Sequence, residues 1–556
     1  MKYISTRSKS KASEAITSAQ AILRGIAPDG GLYVPEAIPK FKLEELERLI
    51  PKRYEVRAVD VLRRFLTDYT IDELAECAEL GYDWFDASKR APLVVLLTDK
   101  TQPTAQSTVE SKSDDASTVE STVESTTESA DGLLLSGAPK EEPKPPSPPK
   151  VEKKVTGLLE LWHGPTSAFK DMALQVLPHL MRQALIKTGE TDQILILVAT
   201  SGDTGKAALA GFADVPQTKI MVFYPEGGVS DLQRLQMVTQ VGSNVNVTAV
   251  KGNFDDAQNG VKKIFGDKKI RAELEESGIK LSSANSINWG RLAPQIAYYV
   301  SVYVDLVESG QIKAGDKINM VVPTGNFGNI LAAYYAKRMG LPLDRLICAS
   351  NANHILTDFF RTGVYDRNRE FYRTMSPSMD ILISSNLERL LFHETGDPRR
   401  VKKMMDELSS TGRFKIDTVL KKKLDRIFYA NFATEEETLR GIKHVFDTFE
   451  RYIIDPHTAV GFVVSEKYRQ ETGDEKPLVI ASTASPYKFA PSVLRALGVD
   501  GASMSEFGQL DRLNNITSRP IPSGLSKLDK ATVLHKDVCE PSEMAEEVLA
   551  FARRHT

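Results

Sequence analysis

Short apolar runs alternate with amphipathic segments over most of the chain after residue 155. Seven runs rich in β-branched residues predict strands: ILILVAT (194–200), IMVFYPE (220–226), VNVTAV (245–250), IKLSSAN (279–285), INMVVPT (318–324), RLICASN (345–351) and PLVIAST (477–483). The stretches between them, such as GKAALAGFAD and NILAAYYAKRMG, have helical spacing. Apolar strands that alternate with helices predict an α/β fold of parallel sheets, and two clusters of strands predict two sheets.

The first part of the chain has a different pattern. Amphipathic stretches such as LEELERLI and IDELAECAELG predict a small α-rich N-terminal domain, residues 1–98. A low-complexity stretch follows, in which STVES occurs at 107–111 and again at 117–121, ahead of a run rich in Pro, Lys and Glu. Because it has too few apolar residues to form a core, residues 99–155 are predicted to be a disordered insertion. Its many Ser and Thr residues also suit a phosphorylated or partner-binding segment.

The remaining residues, 156–556, form one large α/β region in this interpretation. We place a smaller domain at about 193–295, and a larger domain at 156–192 and 296–556. In open parallel sheets, ligands bind at the carboxyl ends of the strands, so the loops that follow strands are where we search for a site.

Charge and cysteine content exclude several classes of protein. The 556 residues carry 71 basic and 74 acidic side chains, a net charge of −3, which argues against a nucleic-acid binder or a membrane-surface binder. No run approaches the roughly 18–20 apolar residues that a membrane span needs. The three cysteines are far apart and the eight histidines lack metal spacing, so we expect no metal site and a reducing, cytoplasmic location.

Two loops between a strand and a helix contain small residues that suit anion binding. The first is SGDTG, residues 201–205, where exposed backbone N–H groups at a helix start favour an anion, although a simple capping turn is the alternative. It is not a Walker A loop, since Ala207 stands where Ser or Thr is required. The second is GNFGN, residues 325–329, whose two glycines and two asparagines favour a phosphate.

Three further segments contain candidate polar groups. Lys170 lies where an apolar-periodic helix begins, so it is either solvated or has a lowered pKa that would permit a Schiff base. Arg291, with the amides and hydroxyl of NSIN (285–288), suits a phosphate or carboxylate, or else begins a helix at the surface. The hydroxyls of STAS (482–485) are also typical of an ordinary turn.

Several longer segments, taken in order, resemble one family. They are HGPTSAFKD, ATSGDTG, NSINWGR, PTGNFGN, SPSMDILISSNLERLL (376–391) and STASPYKF, with MKYISTR and GIAPDGGLYVPE at the start. Over nearly the whole chain they resemble threonine synthases with a long N-terminal domain. The match at the first residues leads us to expect no cleaved leader. The resemblance implies the tryptophan-synthase-β-like fold, fold type II, and pyridoxal 5'-phosphate as cofactor.

The resemblance also implies roles for individual residues. Lys170 would be the catalytic residue and would hold the cofactor through a Schiff base. The cofactor phosphate would lie against Gly325, Asn326, Phe327, Gly328 and Asn329, and the pyridine nitrogen would face Thr483. The substrate's amino-acid end would be held by Ser201, Asp203 and Thr204. The substrate phosphate would be held, in this interpretation, by Asn285, Ser286, Asn288 and Arg291.

The reaction that the resemblance implies converts O-phospho-L-homoserine and water to L-threonine and phosphate, by γ-elimination and β-addition of water. Two departures leave alternatives open: Ser485 stands where the family usually has His, and the 99–155 insertion has no counterpart. One alternative is a phospho-lyase that yields 2-oxobutyrate from the same or a similar substrate. The other is a non-catalytic homologue that acts as a scaffold through its 101–154 segment. The sequence indicates no particular oligomeric state.

Overall fold

The structure is a computed structural model that describes residues 1–8, 15–86, 90–96, 155–200 and 202–554. The predicted disordered insertion lies outside the described residues except for its last residue, Val155, and so does the candidate Ser201. The described residues before and after the insertion belong to one compact unit.

The N-terminal region is mainly helical, as its pattern predicted. Its elements are β1 (Tyr3–Ser5), α1 (Ser18–Arg24), β2 (Tyr33–Pro35), α2 (Leu43–Glu47), α3 (Tyr54–Phe65) and α4 (Ile71–Tyr82). Helix α4 begins with a capping box, in which Thr70 and Glu73 each bond the other's backbone N–H. Strands β1 and β2 pair antiparallel. Helix α3 packs on the long buried helix α11 (Trp289–Glu308), which joins this region to the rest of the core.

The larger sheet has six strands. In spatial order they are β13 (Phe428–Phe432), β10 (Leu343–Ser350), β9 (Ile318–Pro323), β14 (Leu478–Ser482), β4 (Thr156–Glu160) and β3 (Leu93–Leu96). All neighbours are parallel except β3, which runs antiparallel to β4 at the edge. The three runs predicted at 318–324, 345–351 and 477–483 are confirmed as strands, whereas β3, β4 and β13 were not among the predicted runs.

The smaller sheet has five parallel strands. In spatial order they are β15 (Asp537–Cys539), β7 (Val245–Val250), β6 (Thr218–Pro225), β5 (Gln193–Ala199) and β8 (Ile279–Ser282). The four predicted runs in this part are confirmed. Strand β15 corrects one placement, because the sequence assigned 537–539 to the larger domain and this strand pairs with β7 of the smaller sheet. A three-residue strand is too short to show a periodic pattern.

Helices account for most of the remaining elements. They include α5 (Asp171–Leu174), α6 (Leu177–Thr188), α7 (Asp203–Phe212), α8 (Asp231–Val238), α9 (Phe254–Gly266), α10 (Lys268–Glu276), α12 (Gly328–Met339), α13 (Ile355–Thr362), α14 (Leu387–Thr395), α15 (Pro398–Thr411), α16 (Thr418–Ile427), α17 (Glu435–Thr448), α18 (Pro456–Thr472), α19 (Ala490–Ala496), α20 (Glu506–Thr517) and α21 (Met544–Arg553). A small hairpin pairs β11 (Val364–Asp366) with β12 (Arg413–Lys415). Three-residue and four-residue 3-10 helices lie at Pro377–Met379, Pro486–Phe489 and Leu528–Lys530.

The strand order brings the candidate loops together. Strands β9, β14 and β4 are neighbours in the larger sheet, and each is followed by one of the recognised segments. Because parallel strands end at the same edge of a sheet, these three segments meet there. Among the described residues, no helix has the length and apolar character to cross a membrane.

Candidate active site

Lys170 lies immediately before helix α5 and is buried. Its Nζ donates to Oδ2 of Asp203 at 3.2 Å and to Oγ of Ser378 at 3.0 Å. Burial lowers the pKa of Lys170, and nearby Lys488 and Arg291 lower it further, while the carboxylate of Asp203 acts in the opposite direction. This amine is therefore easier to deprotonate than a surface lysine, as formation of a Schiff base requires.

Asp203 joins two buried lysines. Its Oδ1 lies 2.6 Å from Nζ of Lys488, and its Oδ2 accepts from Lys170 on the other side. Burial alone would raise the pKa of Asp203, but the charges of Lys488 and Lys170 outweigh it and hold that pKa well below its usual range. Asp203 is thus a permanent carboxylate at the start of α7, where the helix dipole also favours negative charge.

Main-chain hydrogen bonds tie the Lys170 segment to the segment after β14. The N–H of Phe169 donates to the carbonyl of Thr483 at 2.8 Å, and the N–H of Ser485 donates to the carbonyl of Ser167 at 3.0 Å. Lys488 Nζ adds a 2.9 Å bond to the carbonyl of Thr166. Thr483 is therefore held beside Lys170 by backbone geometry.

Ser485 is a buried cap in the segment after β14. Its Oγ accepts the N–H of Tyr487 at 3.3 Å and so begins the 3-10 helix Pro486–Phe489. The hydroxyl therefore has a local partner in the turn that carries Lys488.

The GNFGN segment is shaped by its glycines and by one strained residue. Phe327 has φ 64°, the left-handed conformation, immediately before α12 begins at Gly328. A Cβ at Gly325 would lie 2.5 Å from the carbonyl oxygen of Ser378, so only glycine fits there. The side chain of Asn329 accepts hydrogen bonds from two tyrosines, while its Nδ2 is buried and has no partner among the described residues. The loop therefore offers backbone donors and one unused amide donor.

The 285–291 segment lies beside this loop through Asn386. Nδ2 of Asn386 donates to the carbonyls of Ser286 and Asn326, at 3.1 Å each. Ser286 also lies near Gly328, with its Cβ 4.0 Å from the position that a Cβ on that glycine would take. Arg291 is buried and donates to the carbonyl of Ala284 at 2.9 Å.

Asn288 and Asn285 make contacts that stabilise the turn before α11. Asn288 caps α11 by accepting the N–H of Gly290 at 2.8 Å, and its amide donates to the carbonyl of Ile22 at 2.9 Å. The carbonyl of Asn285 accepts the N–H of Asn288 within the same turn. Thr204 lies next to Asp203 in the first turn of α7.

Sequence reasoning missed four groups at the site. Ser378 and Asn386 lie in the recognised segment SPSMDILISSNLERLL, and Lys488 follows Thr483 in STASPYKF. All three were inside quoted motifs, so the motifs themselves were the available signal. His457, whose Nε2 accepts the N–H of Ser378 at 3.2 Å, lies in DPHTA, and the sequence singled out nothing there.

Two family models match the ends of the chain. Residues 2–82 match the threonine synthase N terminus, and residues 458–532 match the C-terminal part of threonine synthase. The threonine synthase of Saccharomyces cerevisiae is 33% identical over 518 residues, which are 89% of this chain and 89% of that protein. The chain belongs to the threonine synthase family.

Other relatives and solved structures agree with this membership. Human threonine synthase-like 1 is 38% identical over 90% of this chain, and the chain spans 61% of the length of that relative. The crystal structure of PLP-bound threonine synthase from Brucella melitensis has a TM-score of 0.79 at 33% identity, with 100% of each chain covered. The yeast enzyme's structure has a TM-score of 0.80 at 31% identity, with 99% and 98% covered. The predicted family and fold are confirmed.

Proposed function

We propose that this protein is a pyridoxal-phosphate-dependent threonine synthase that converts O-phospho-L-homoserine and water to L-threonine and phosphate. The observation that carries the proposal is the buried pair of Lys170 and Asp203, 3.2 Å apart, at the strand ends that also present the GNFGN loop. Membership of the family supports the same reaction.

The residues present fit pyridoxal phosphate. The phosphate would lie against the loop from Gly325 to Asn329, where a Cβ on Gly325 has no room and the buried Nδ2 of Asn329 has no partner in the part of the chain that the structure describes. Buried donors without partners are costly, so a ligand oxygen there would satisfy a real need. The start of α12 adds the favourable end of a helix dipole. Lys170 would hold the cofactor covalently, and Thr483 would face its ring.

The cofactor, when bound, supplies an electron-withdrawing ring that makes C–H bonds of the substrate's amino-acid part acidic. This chain's own groups would supply the proton transfers. Burial lowers the pKa of Lys170, which favours an amine that can take a proton from Cα or Cβ and return one at Cγ. Asp203 and Ser378 both contact this amine and would fix its direction.

The charges around Lys170 suit a substrate with a phosphate and a carboxylate. Lys170, Lys488 and Arg291 are buried in this part of the molecule, and Asp203 is the carboxylate paired with the two lysines. Burial lowers the pKa of Arg291 to about 10, which still leaves it charged at neutral pH. Although the whole chain has a net charge of −3, the buried Lys488 and Arg291 place positive charge near Lys170 that would attract an anion.

Some candidate residues are proposed to contact the substrate, and others to support the site. Asp203 would hold the substrate's amino-acid end through its position beside Lys170, with Thr204 next to it and Ser201 before it. Ser286 and Arg291 would face the substrate phosphate. Asn288 contributes by capping α11, and Asn285 by supporting that turn, so we propose that these two shape the site from outside.

Product identification tests the proposal. Purified protein is incubated with pyridoxal phosphate and O-phospho-L-homoserine, and phosphate, threonine and 2-oxobutyrate are quantified together. Phosphate matched by threonine would support a synthase. Phosphate matched by 2-oxobutyrate would instead establish a phospho-lyase, and no phosphate release would contradict this substrate and leave the scaffold alternative.

We also propose a cytoplasmic location. Cys77, Cys348 and Cys539 are all free and buried, which suits a reducing compartment. Fluorescence microscopy of the tagged full-length chain tests this, and signal confined to an organelle would contradict it.

A further inference from the structure

His457 is the second residue of helix α18 and contacts the candidate site through the backbone of Ser378. The side chain is almost fully buried, with 2% of its surface exposed. Its Nδ1 lies 2.8 Å from Oδ1 of Asp455, and its Nε2 accepts the backbone N–H of Ser378 at 3.2 Å. The ring of Phe489 packs against it with 4.9 Å between centroids.

The two hydrogen bonds determine the protonation of the ring. A backbone N–H can only donate, so Nε2 must be an acceptor and carries no proton. The carboxylate of Asp455 can only accept, so Nδ1 must carry the proton. Asp455 is itself fixed, because its side chain also accepts the N–H groups of His457 and Thr458 at the start of α18. His457 is therefore neutral and confined to one tautomer.

His457 is connected to Lys170 through Ser378. Ser378 lies in the 3-10 helix Pro377–Met379, and its Oγ is 3.0 Å from Nζ of Lys170 and 3.3 Å from Oδ2 of Asp203. The ends of this turn are anchored elsewhere, since Nδ2 of Asn351 donates to Ser376 and to Asp380. His457 is thus the group that fixes the middle of the turn, where the hydroxyl faces the reactive amine.

We propose that His457 is a positioning residue that holds Ser378 against Lys170 as the neutral Nδ1-H tautomer, with Asp455 selecting that tautomer. The hydrogen-bond arrangement stands independently of the reaction, whereas its effect on turnover rests on the proposed function. The same turn also packs on the GNFGN loop, since the carbonyl of Ser378 leaves no room for a Cβ at Gly325. His457 therefore supports two parts of the site through one residue.

The first test reads the tautomer directly. Long-range ¹H–¹⁵N spectra of the full-length, ¹⁵N-histidine-labelled protein are recorded at neutral pH, with and without pyridoxal phosphate. The chain has eight histidines, and His457→Gln assigns the signal by its disappearance. We expect a protonated Nδ1 and an unprotonated Nε2. A doubly protonated ring, or a proton on Nε2, overturns the proposal whether or not the protein is a threonine synthase.

The second test compares two amide replacements. In His457→Gln the side-chain oxygen can reach the position of Nε2 and accept the N–H of Ser378. His457→Asn is shorter and matches only the Nδ1 side. We expect His457→Asn to lower kcat for phosphate release about tenfold more than His457→Gln does, with KM little changed. In the Asn variant the N–H of Ser378 would be buried without an acceptor, and the free energy lost with such a hydrogen bond corresponds to roughly a tenfold change in rate.

A matched control separates positioning from general damage. His393 is a partly buried histidine on α14, bonded through Nε2 to the hydroxyl of Tyr335 at 2.7 Å. We expect His393→Gln to leave kcat and the cofactor absorbance unchanged. Equal kcat values for the Gln and Asn variants of His457 overturn the proposal. A parent protein that releases no phosphate counts against the proposed function alone, because the tautomer measurement still decides the hydrogen-bond arrangement.

Discussion

The two sheets contribute to the candidate site by different physical means. The segments after β4 and β14 of the larger sheet are joined by main-chain hydrogen bonds, from Phe169 to Thr483 and from Ser485 to Ser167. The smaller sheet contributes Asp203, which is joined to the larger sheet's segments by ion pairs with Lys170 and Lys488. Main-chain hydrogen bonds hold two segments together whatever their side chains are. A buried ion pair, by contrast, is lost when either charged side chain is replaced. The comparison predicts that the charged side is the more sensitive to substitution.

The largest effect is expected at Lys170, where the two contributions meet. Lys170→Ala would remove both the proposed covalent attachment and the amine that we propose moves protons. We expect the Schiff-base absorbance with pyridoxal phosphate to disappear and phosphate release to fall by roughly 10²–10⁴-fold or more. Lys262→Ala, an exposed lysine on α9, is the control and should behave as the parent. A borohydride-reducible adduct that persists in Lys170→Ala would show that another lysine holds the cofactor.

The next largest effect is expected when the ion pairs of Asp203 are removed. Asp203→Asn leaves two buried lysines without their carboxylate, so we expect the free energy of unfolding to fall by about 3–5 kcal/mol in urea titrations at pH 7. The exposed, helical Asp406→Asn is the control and should change it by less than about 1 kcal/mol.

The pH dependence of the same carboxylate gives an independent check. The pKa of Asp203 is lowered on folding, so its stabilisation is present above the unfolded value of about 3.9 and is lost as the pH falls through the folded value. The difference between parent and Asp203→Asn should therefore shrink in acid. A difference that is constant from pH 7 to acid would contradict the ion pairs as its cause.

A smaller effect is expected one helical turn further along α7. Burial lowers the pKa of Lys206 to about 8, so below pH 8 the folded protein holds an ammonium where it is disfavoured. Because this pKa is lower in the folded than in the unfolded chain, Lys206 destabilises the folded state. This destabilisation is complete below pH 8 and decreases to zero towards about pH 10.4. Lys206→Met should therefore stabilise the protein by up to about 3 kcal/mol at pH 7, and by much less near pH 10.

The measurement is urea unfolding at both pH values, with Lys262→Met as the exposed control. A gain that stayed constant with pH would mean that Lys206→Met acts through packing.

The smallest effect is expected where two main-chain segments of the site pack against each other, at Gly325. Gly325→Ala places a Cβ 2.5 Å from the carbonyl oxygen of Ser378, so one of the two segments must move. We expect a loss of about 1–3 kcal/mol in the free energy of unfolding, together with weaker binding of pyridoxal phosphate in fluorescence titrations. Gly266→Ala has open space around the new methyl group and serves as the control. Unchanged cofactor affinity in Gly325→Ala would place the cofactor phosphate elsewhere.

The candidate site could be predicted from sequence only in part, and the reasons are physical. Lys170 and Asp203 could be named through the resemblance to the threonine synthases, and the small residues of the 325–329 loop also favour an anion at a helix start. Asn288 could not be assigned by pattern, since an N-cap and a ligand-binding amide look the same in sequence, and its side chain caps α11. Lys488 and His457 could not be predicted from spacing, because they act through residues more than 70 positions away in sequence.

By itself, the sequence determined the alternation of strands and helices, the two sheets and the loops that end their strands. Those features depend on local periodicity and on the chemistry of glycine, which are written in neighbouring residues. The tertiary structure alone decided that strand 537–539 joins the smaller sheet, that Asp203 is shared by two lysines, and that His457 fixes Ser378. Each of these is a contact between distant segments, and only the packing of the whole chain brings such groups within hydrogen-bonding distance.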